Sequence, residues 1–230
     1  TGVRAGRATA TAGGWLIDTQ DGPLRSRFLV GCAGLHADRV ARRSGTRPDA
    51  RILPFRGEYL DVVGPSAELV RGLVYPVPDP RFPFLGVHLT RGLDGRVHAG
   101  PNAVLALARE GYRWSDVSVR DLASTLVWGG TSRLVVRYWR PGLTELVRSV
   151  SRRRFAADAR RLIPGLRTGD LRRAPSGVRA QAVDRRGELV DDFHLVAGER
   201  SLHVLNAPSP AATASLEIGA LVADRVAAAL

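Results

Sequence analysis

The apolar positions of this chain come in short runs cut by glycine, aspartate and proline, and the spacing of the runs changes along its length. In the first thirty residues, Trp15-Leu16-Ile17-Asp18-Thr19, an Asp21-Gly22 turn and Ser26-Arg27-Phe28-Leu29-Val30 predict hairpin strands. Phe28-Leu29-Val30-Gly31 reads as a buried strand running into the small-residue turn Cys32-Ala33-Gly34. Residues 35–44 predict a short helix and residues 45–49 a linker. Residues 52–63 predict a strand pair broken at Arg56-Gly57-Glu58-Tyr59.

Residues 75–102 exclude helix at their start, where four prolines and two phenylalanines occupy the first ten positions. Proline fixes φ, removes an amide donor and pushes the preceding residue out of the helical region. The segment predicts a rigid extended turn and a strand, Phe84-Leu85-Gly86-Val87-His88-Leu89-Thr90-Arg91. A tight turn at Leu93-Asp94-Gly95-Arg96 follows, then a second strand ending in Gly100-Pro101-Asn102. Such a hairpin sets polar groups at intervals on an apolar surface, which suits one small polar molecule better than a flat partner.

Helical periodicity covers residues 116–139, with Gly129-Gly130 as a break. After Pro141-Gly142 it resumes through Leu143, Leu146, Val147, Val150, Leu162 and Ile163, and ends at Ile163-Pro164-Gly165. Strand signals return over residues 174–183, with a turn at Arg185-Arg186-Gly187 and further runs at Leu189-Val190 and Phe193-His194-Leu195-Val196. Leu202-His203-Val204-Leu205-Asn206 predicts a buried strand turned by Ala207-Pro208-Ser209-Pro210. An Ala-rich helix over residues 211–230 follows, with Leu216, Gly219, Ala220, Ala223 and Val226 on its packed face. Ser209 reads as its N-cap, with Pro210 in the first helical position. A strand feeding a helix through a tight turn of small residues presents the helix N-terminus to an anion or a cofactor carbonyl. The fold class is α/β.

The net charge of +12 suggests nucleic acid until its source is inspected. All 34 basic residues are Arg, Met is absent, and there are two Asn and four Ile, the signature of a GC-rich genome that uses Arg in place of Lys. Scattered arginines do not form the focused patch that counterion-release binding needs. The densest group, Arg152-Arg153-Arg154 with Arg160-Arg161 and Arg172-Arg173, falls among helix-spaced apolar residues and is expected on a solvated helix face. A nucleic-acid partner is therefore not expected. One cysteine excludes a disulfide framework, and no His and carboxylate group has metal-ligand spacing, so no metal is expected. No apolar run has the length of a membrane span, and a cytoplasmic protein is the expectation.

Several long motifs occur in a fixed order: Pro54-Phe55-Arg56-Gly57-Glu58-Tyr59, the proline-rich block from Tyr75 to Arg91, Gly100-Pro101-Asn102-Ala103-Val104-Leu105-Ala106 and Arg109-Glu110-Gly111-Tyr112. Gly177-Val178-Arg179-Ala180-Gln181, Leu189-Val190-Asp191-Asp192-Phe193 and Asn206-Ala207-Pro208-Ser209-Pro210-Ala211-Ala212-Thr213 complete the series. Together they resemble the L-2-hydroxyglutarate oxidase and dehydrogenase family of flavoenzymes, within the D-amino-acid-oxidase-like group. Cys32-Ala33-Gly34-Leu35-His36-Ala37-Asp38 resembles that family's strand-to-helix turn in the flavin domain. The resemblance implies a partial Rossmann-like FAD-binding domain, split in sequence around a substrate domain on a mixed or antiparallel sheet. The expected boundaries are 1–50 and 176–230 for the flavin part and 51–175 for the substrate part. The family's GxGxxG strand–turn–helix, which seats the FAD pyrophosphate, has no counterpart in these residues, and with no Met at its start the chain is expected to be the C-terminal portion of a longer product. The implied reaction is FAD-dependent oxidation of L-2-hydroxyglutarate to 2-oxoglutarate; the alternatives are a related flavin oxidase acting on another 2-hydroxy or amino acid, and an inactive truncated remnant or binding module of the same fold. The implied electron acceptor is oxygen or a quinone-linked carrier, the latter compatible with peripheral attachment to a membrane.

Hydride transfer to flavin needs a carboxylate anchor, a base for the hydroxyl proton and charge stabilisation at the flavin edge. Arg56 and Arg179, each beside a small residue in a strand, suit a dicarboxylate; the competing reading pairs Arg56 with Glu58 or a neighbouring strand. Tyr59 is placed to hydrogen-bond a carboxylate, or to lie in the core with a wet tip. His88 is the first candidate for base and His203 the second, and a satisfied core histidine competes for the same positions. Asn102 follows a turn from which it reaches either the pocket or its own backbone. Gly34, Asn206, Ala207, Pro208, Ser209, Ala211, Ala212 and Thr213 are the candidate cofactor contacts, and an ordinary capped helix would explain the last seven equally well. His36, His98 and His194 are expected to be structural or exposed.

Overall fold

A computed structural model describes residues 1–77, 86–207 and 210–230. It divides the chain into two compact units, Thr1–Ile52 with Ala180–Leu230, and Leu53–Arg179. Both divisions fall inside strands.

The first unit opens with an antiparallel sheet of β1 (Ala5–Thr11), β2 (Gly14–Thr19) and β3 (Leu24–Ser26). Trp15 of β2 is buried and donates its indole N–H to the Arg200 carbonyl at 2.8 Å. Next come β4 (Leu29–Gly31), a single 3-10 turn at Gly34–His36 and α1 (Ala37–Arg43). The predicted burial of Val30 does not hold, as this residue is 41% exposed. Ala37 and Ala41 of α1 pack with Ala50, Ile52, Ala182 and Leu205 in one buried cluster.

From β5 (Ala50–Gly57) the chain enters the second unit, with β6 (Leu60–Val62), α2 (Pro65–Glu68), β7 (Leu73–Val74), β8 (His88–Arg91), β9 (Val97–Gly100) and β10 (Val104–Leu105). Helices α3 (Val119–Leu126), α4 (Gly129–Val150) and α5 (Arg152–Ala159) follow, then β11 (Leu171–Arg173) and β12 (Gly177–Asp184). The predicted strand at residues 84–91 and turn at residues 93–96 correspond to β8 and the β8–β9 hairpin. Phe84 and Leu85 lie outside the described residues. In the hairpin the Gly92 amide donates to the Arg96 carbonyl at 2.8 Å.

The main sheet of this unit is antiparallel, in the order β11–β6–β9–β8–β7. Its register aligns Leu89, Ala99 and Leu60, and two residues along it aligns Val97, Val62 and Leu171. All six side chains are buried, against Phe155, Ala156 and Ala159 of α5. Eight residues beginning Arg152-Arg153-Arg154 would not hold a helix alone in water. Burying Phe155, worth about 1.5–3 kcal/mol, offsets that deficit. The alternate positions, Thr90, His98, Asp61 and Arg172, form the opposite, polar face, as period-two alternation requires.

The helical region departs from the expected pattern. α4 is two helical stretches joined across a kink at Tyr138 (φ −116°, ψ 23°), so the break expected at Pro141-Gly142 is present and falls three residues earlier. The proline ring crowds the carbonyl four residues back, at Arg137, so the kink forms beside that residue. The buried residues of α4 are Gly130, Thr131 and Leu134, whereas Leu143, Leu146, Val147 and Val150 are exposed. A new break occurs at Ser151, whose hydroxyl caps the Arg154 amide of α5 at 3.4 Å. Arg152, Arg153, Arg154, Arg160, Arg161, Arg172 and Arg173 are all exposed, as expected.

The chain returns to the first unit through β13 (His194–Gly198), β14 (Ser201–Asn206) and α6 (Ser215–Ala227). All six residues of β14 are buried, antiparallel to β13 on one side and parallel to β4 on the other. The C-terminal helix starts at Ser215 with Ala214 in the cap position, four residues later than expected, because residues 211–214 form turns. Its packed stripe is Ile218, Val222 and Val226 against Leu202 and Val204. Leu216, at 87% exposure, faces out with Gly219, Ala220 and Ala223, so of the five predicted packing positions only Val226 packs. In an alanine-rich helix many stripes have similar apolarity, and the approach of β14 selects one.

Across the β4–β14 pair His203 stands opposite Gly31. A Cβ at Gly31 would lie 2.3 Å from His203 Nδ1, so the glycine leaves room for the ring. Gly31→Ala is expected to destabilise the protein by about 1–3 kcal/mol in urea unfolding through overpacking. In a His203→Ala background the same change should cost clearly less; equal costs would show that the ring and the strand do not touch.

Candidate active site

His88 opens β8 opposite Gly100 of β9, so it belongs to the polar face of the antiparallel sheet and not to the face on α5. Its ring stacks on Tyr75, centroids 4.5 Å apart at 20°. Nδ1 lies 3.2 Å from the Gly86 carbonyl oxygen. A carbonyl only accepts, so Nδ1 carries the hydrogen and Nε2 keeps its lone pair. Burial depresses the His88 pKa; the Gly86 contact opposes this and the Arg179 cation adds to it. The imidazole is therefore neutral with a basic nitrogen, and Arg179 is near enough to act on it.

Tyr59 reaches the same neighbourhood through Gly100. A Cβ on Gly100 (φ 130°) would meet the Glu58 carbonyl oxygen at 2.8 Å and Tyr59 Cδ1 at 3.4 Å, so only glycine lets β9 approach the residues before β6. The tyrosine is half-buried.

Arg56 is 1% exposed. Its guanidinium carbon sits 4.1 Å from the centre of the Trp114 ring, and Nε is 3.5 Å from Glu58 Oε1. Nε and Nη2 have no hydrogen-bond partner among the described residues. The pairing of Arg56 with Glu58, raised as the competing reading, is thus present alongside two unsatisfied nitrogens. Asn102 is consumed by the same carboxylate residue: its Oδ1 accepts the Glu58 amide at 2.7 Å and its Nδ2 donates to Glu58 Oε2 at 3.4 Å. Ser149 also donates to Glu58 Oε2. Asn102 therefore ties the β9–β10 connection to Glu58 and not to its own backbone.

In the first unit, β4 and β14 run parallel; β4 leads through Cys32-Ala33 into the 3-10 turn at Gly34, and β14 ends at Asn206. Gly34 has φ 49°, with open space where a Cβ would stand. Asn206 donates both amide hydrogens inward, to the Val190 and Asp192 carbonyls at 2.9 Å each, which holds that loop against the end of β14. Ala211 is half-buried and Ala212 and Thr213 are exposed; Pro208 and Ser209 lie outside the described residues. His203 is fully buried, with Nε2 2.9 Å from Ser44 Oγ at the end of α1 and Nδ1 without a hydrogen-bond partner among the described residues. Burial lowers its pKa. His98 pairs with Asp61 at 2.7 Å and His194 with Asp49 at 2.8 Å.

Trp114, Tyr75 and Glu58 are the contributors that sequence reasoning did not assign to the site. Trp114 lies in irregular chain between β10 and α3, where no periodicity marks it. Tyr75 meets His88 only because β7 and β8 pair.

Comparison with known proteins gives a consistent picture. The family described as FAD dependent oxidoreductase (DAO) matches residues 1–225. An L-2-hydroxyglutarate dehydrogenase of Indibacter alkaliphilus is 49% identical over 91% of this chain and 53% of its own length. The mitochondrial L-2-hydroxyglutarate dehydrogenase of Homo sapiens is 45% identical over 91% of this chain and 46% of its own. The chain thus spans about half the length of the curated relatives it matches. The dithionite-reduced L-alpha-glycerophosphate oxidase of Mycoplasma pneumoniae, solved with FAD bound, shares the fold with TM-score 0.56 at 18% identity, covering 88% of this chain and 44% of that one. No helix among the described residues is long and apolar enough to cross a membrane.

The His88 environment predicts a titration. Its imidazole resonance should titrate below the ordinary value of 6.5, and Arg179→Gln should move the midpoint up, since removing a nearby cation eases protonation. A depressed folded pKa means that the stability held by neutral His88 is complete above 6.5 and lost as pH falls through the folded value. An unchanged midpoint in Arg179→Gln, read by NMR beside an Arg186→Gln control, would remove Arg179 from the site.

Proposed function

Because the chain belongs to the FAD-dependent oxidoreductase family, we propose that it serves the oxidation of L-2-hydroxyglutarate to 2-oxoglutarate. The observation that carries this reading is His88, a neutral histidine whose Nε2 is free to accept a proton, on a polar sheet face within the influence of a cation. The sequence identity to relatives named for this activity supports the same substrate.

In this reading His88 Nε2 takes the hydroxyl proton of the substrate, and the Arg179 guanidinium holds a carboxylate beside it. Its depressed pKa keeps the base unprotonated at neutral pH, as a general base requires. Tyr59 offers a phenolic hydrogen bond from the next strand. Arg56 supplies the second carboxylate contact through its unsatisfied nitrogens, with Trp114 and Glu58 fixing the plane of its guanidinium. A buried cation without full hydrogen bonding costs several kcal/mol, so an anion at Arg56 recovers part of that energy. His203 and Asn206 are left with supporting roles, since their described contacts face inward.

The first unit fits a cofactor at the carboxyl ends of β4 and β14, where ligands bind in open α/β sheets. Gly34 leaves open space at one turn, and Ala207, Ala211, Ala212 and Thr213 bring small side chains and backbone amides to the other. FAD, when bound, supplies the acceptor for the hydride leaving the substrate C2.

Protein expressed from its complete reading frame should bind FAD and reduce a dye with L-2-hydroxyglutarate, with the D-isomer and L-lactate at least about a hundredfold poorer in kcat/KM. His88→Gln should lower kcat by about 10²–10⁴, while Arg179→Gln should act mainly on KM. Absence of flavin, or equal turnover of L-lactate, would refute the assignment.

A further inference from the structure

On the side of the main sheet covered by α5, the junction of α4 and α5 encloses a cleft of about 510 Å³. We propose that this cleft binds a small oxyanion-bearing molecule, a phosphate or carboxylate compound, on the side of the sheet away from His88, with Glu58, which also pairs with Arg56, at the boundary of the two sites. Its walls carry Arg148, Arg152, Arg153 and Arg173 against one carboxylate, Glu58.

These arginines are not equivalent. Arg148 is neutralised by Glu145 and by Asp158 at 2.5 Å, so it is a structural cation. Arg152 donates to the Leu171 carbonyl at 3.3 Å, which orients it across the cleft. Arg153 and Arg173 have no hydrogen-bond or ion-pair partner for their guanidinium groups among the described residues, although both line the same concavity. They come from different elements, the first turn of α5 and the end of β11, and the fold holds them together through the Arg173–Leu60 register and the packing of Phe155 beneath. Two guanidinium groups with unused donors on the lining of one cleft match an oxyanion better than any neutral ligand.

Polar groups extend the match. Ser151 caps α5, and the free amides and positive dipole end of that helix lie in the wall that Arg152 and Arg153 occupy. Thr168 adds a hydroxyl whose oxygen accepts from Arg160 at 2.8 Å, which leaves its hydrogen to donate. At the far end Ser149 and Asn102 bond to Glu58 Oε2, which sets an acceptor where a ligand hydroxyl would find a partner. The lining is thus cationic at one end and hydrogen-bonding at the other, with a volume in the usual range for small-molecule sites. The polar residues of the His88 face project from the opposite side of the sheet, since Leu60 and Arg173 align with Leu89, the neighbour of His88.

Isothermal titration of the protein at constant ionic strength, with inorganic phosphate, glycerol 3-phosphate and succinate in separate arms, tests the site. One-to-one binding is expected in at least one arm, and the preferred arm identifies the phosphate or the carboxylate source. Arg153→Gln with Arg173→Gln should weaken it at least tenfold with the melting temperature unchanged, and Thr168→Asp, which puts a carboxylate in the wall, should abolish it. Arg43→Gln with Arg186→Gln, two exposed arginines elsewhere, should leave it intact. Equal weakening by both pairs, or no saturable heat in any arm, would overturn the proposal; so would loss through L-2-hydroxyglutarate competition in the wild type, which would mean one shared site.

Discussion

The register of β6, β9 and β8 is the constraint on which the rest of the second unit depends. Leu60, Ala99 and Leu89 stand in one row and are buried on α5. A slip of a single residue would turn that row to the other side and bury His88, His98 and Asp61 in its place. The cost would be the apolar burial of six side chains and the desolvation of charged ones, so the register is strongly specified. The same alternation that builds the core therefore delivers the polar face, and the site needs no special device to expose His88.

Glycine and proline control how closely the strands approach that face. Gly100 lets β9 pass against the Glu58 carbonyl and Tyr59, and Gly31 does the same for His203 in the first unit. Two histidines of similar sequence context thus end in opposite situations. His88 begins an antiparallel strand on a polar face, with Nδ1 bonded to the Gly86 carbonyl. His203 lies in the middle of a strand buried at every position, with its ring filling the space over a glycine. Both have depressed pKa values through burial, so the shift alone does not distinguish the two rings; their surroundings do.

Much of the fold is legible in the sequence because strands and tight turns are local. The Leu93-Asp94-Gly95-Arg96 turn, the break between β5 and β6, and the buried strand at residues 201–206 all follow from alternation and turn chemistry. The helices are less legible. Their period identifies which residues share a face, but α4 exposes Leu143, Leu146 and Val150 while burying Thr131, and α6 buries Val222 while exposing Leu216. Which stripe packs depends on what arrives from elsewhere in the chain.

For the candidate site the division is similar. The ordered motifs determined the family resemblance and the candidate residue types, Arg56, His88 and Arg179 among them, because these are properties of local strings. Trp114 over Arg56, Tyr75 on His88, the capture of Asn102 by Glu58 and the place of Arg153 and Arg173 on one cleft were decided only by the tertiary structure. Each joins residues 13 or more apart in sequence, or, as with Arg56 and Trp114, a strand with an irregular loop. Such contacts form when sheets and helices close on one another, and no local pattern encodes them.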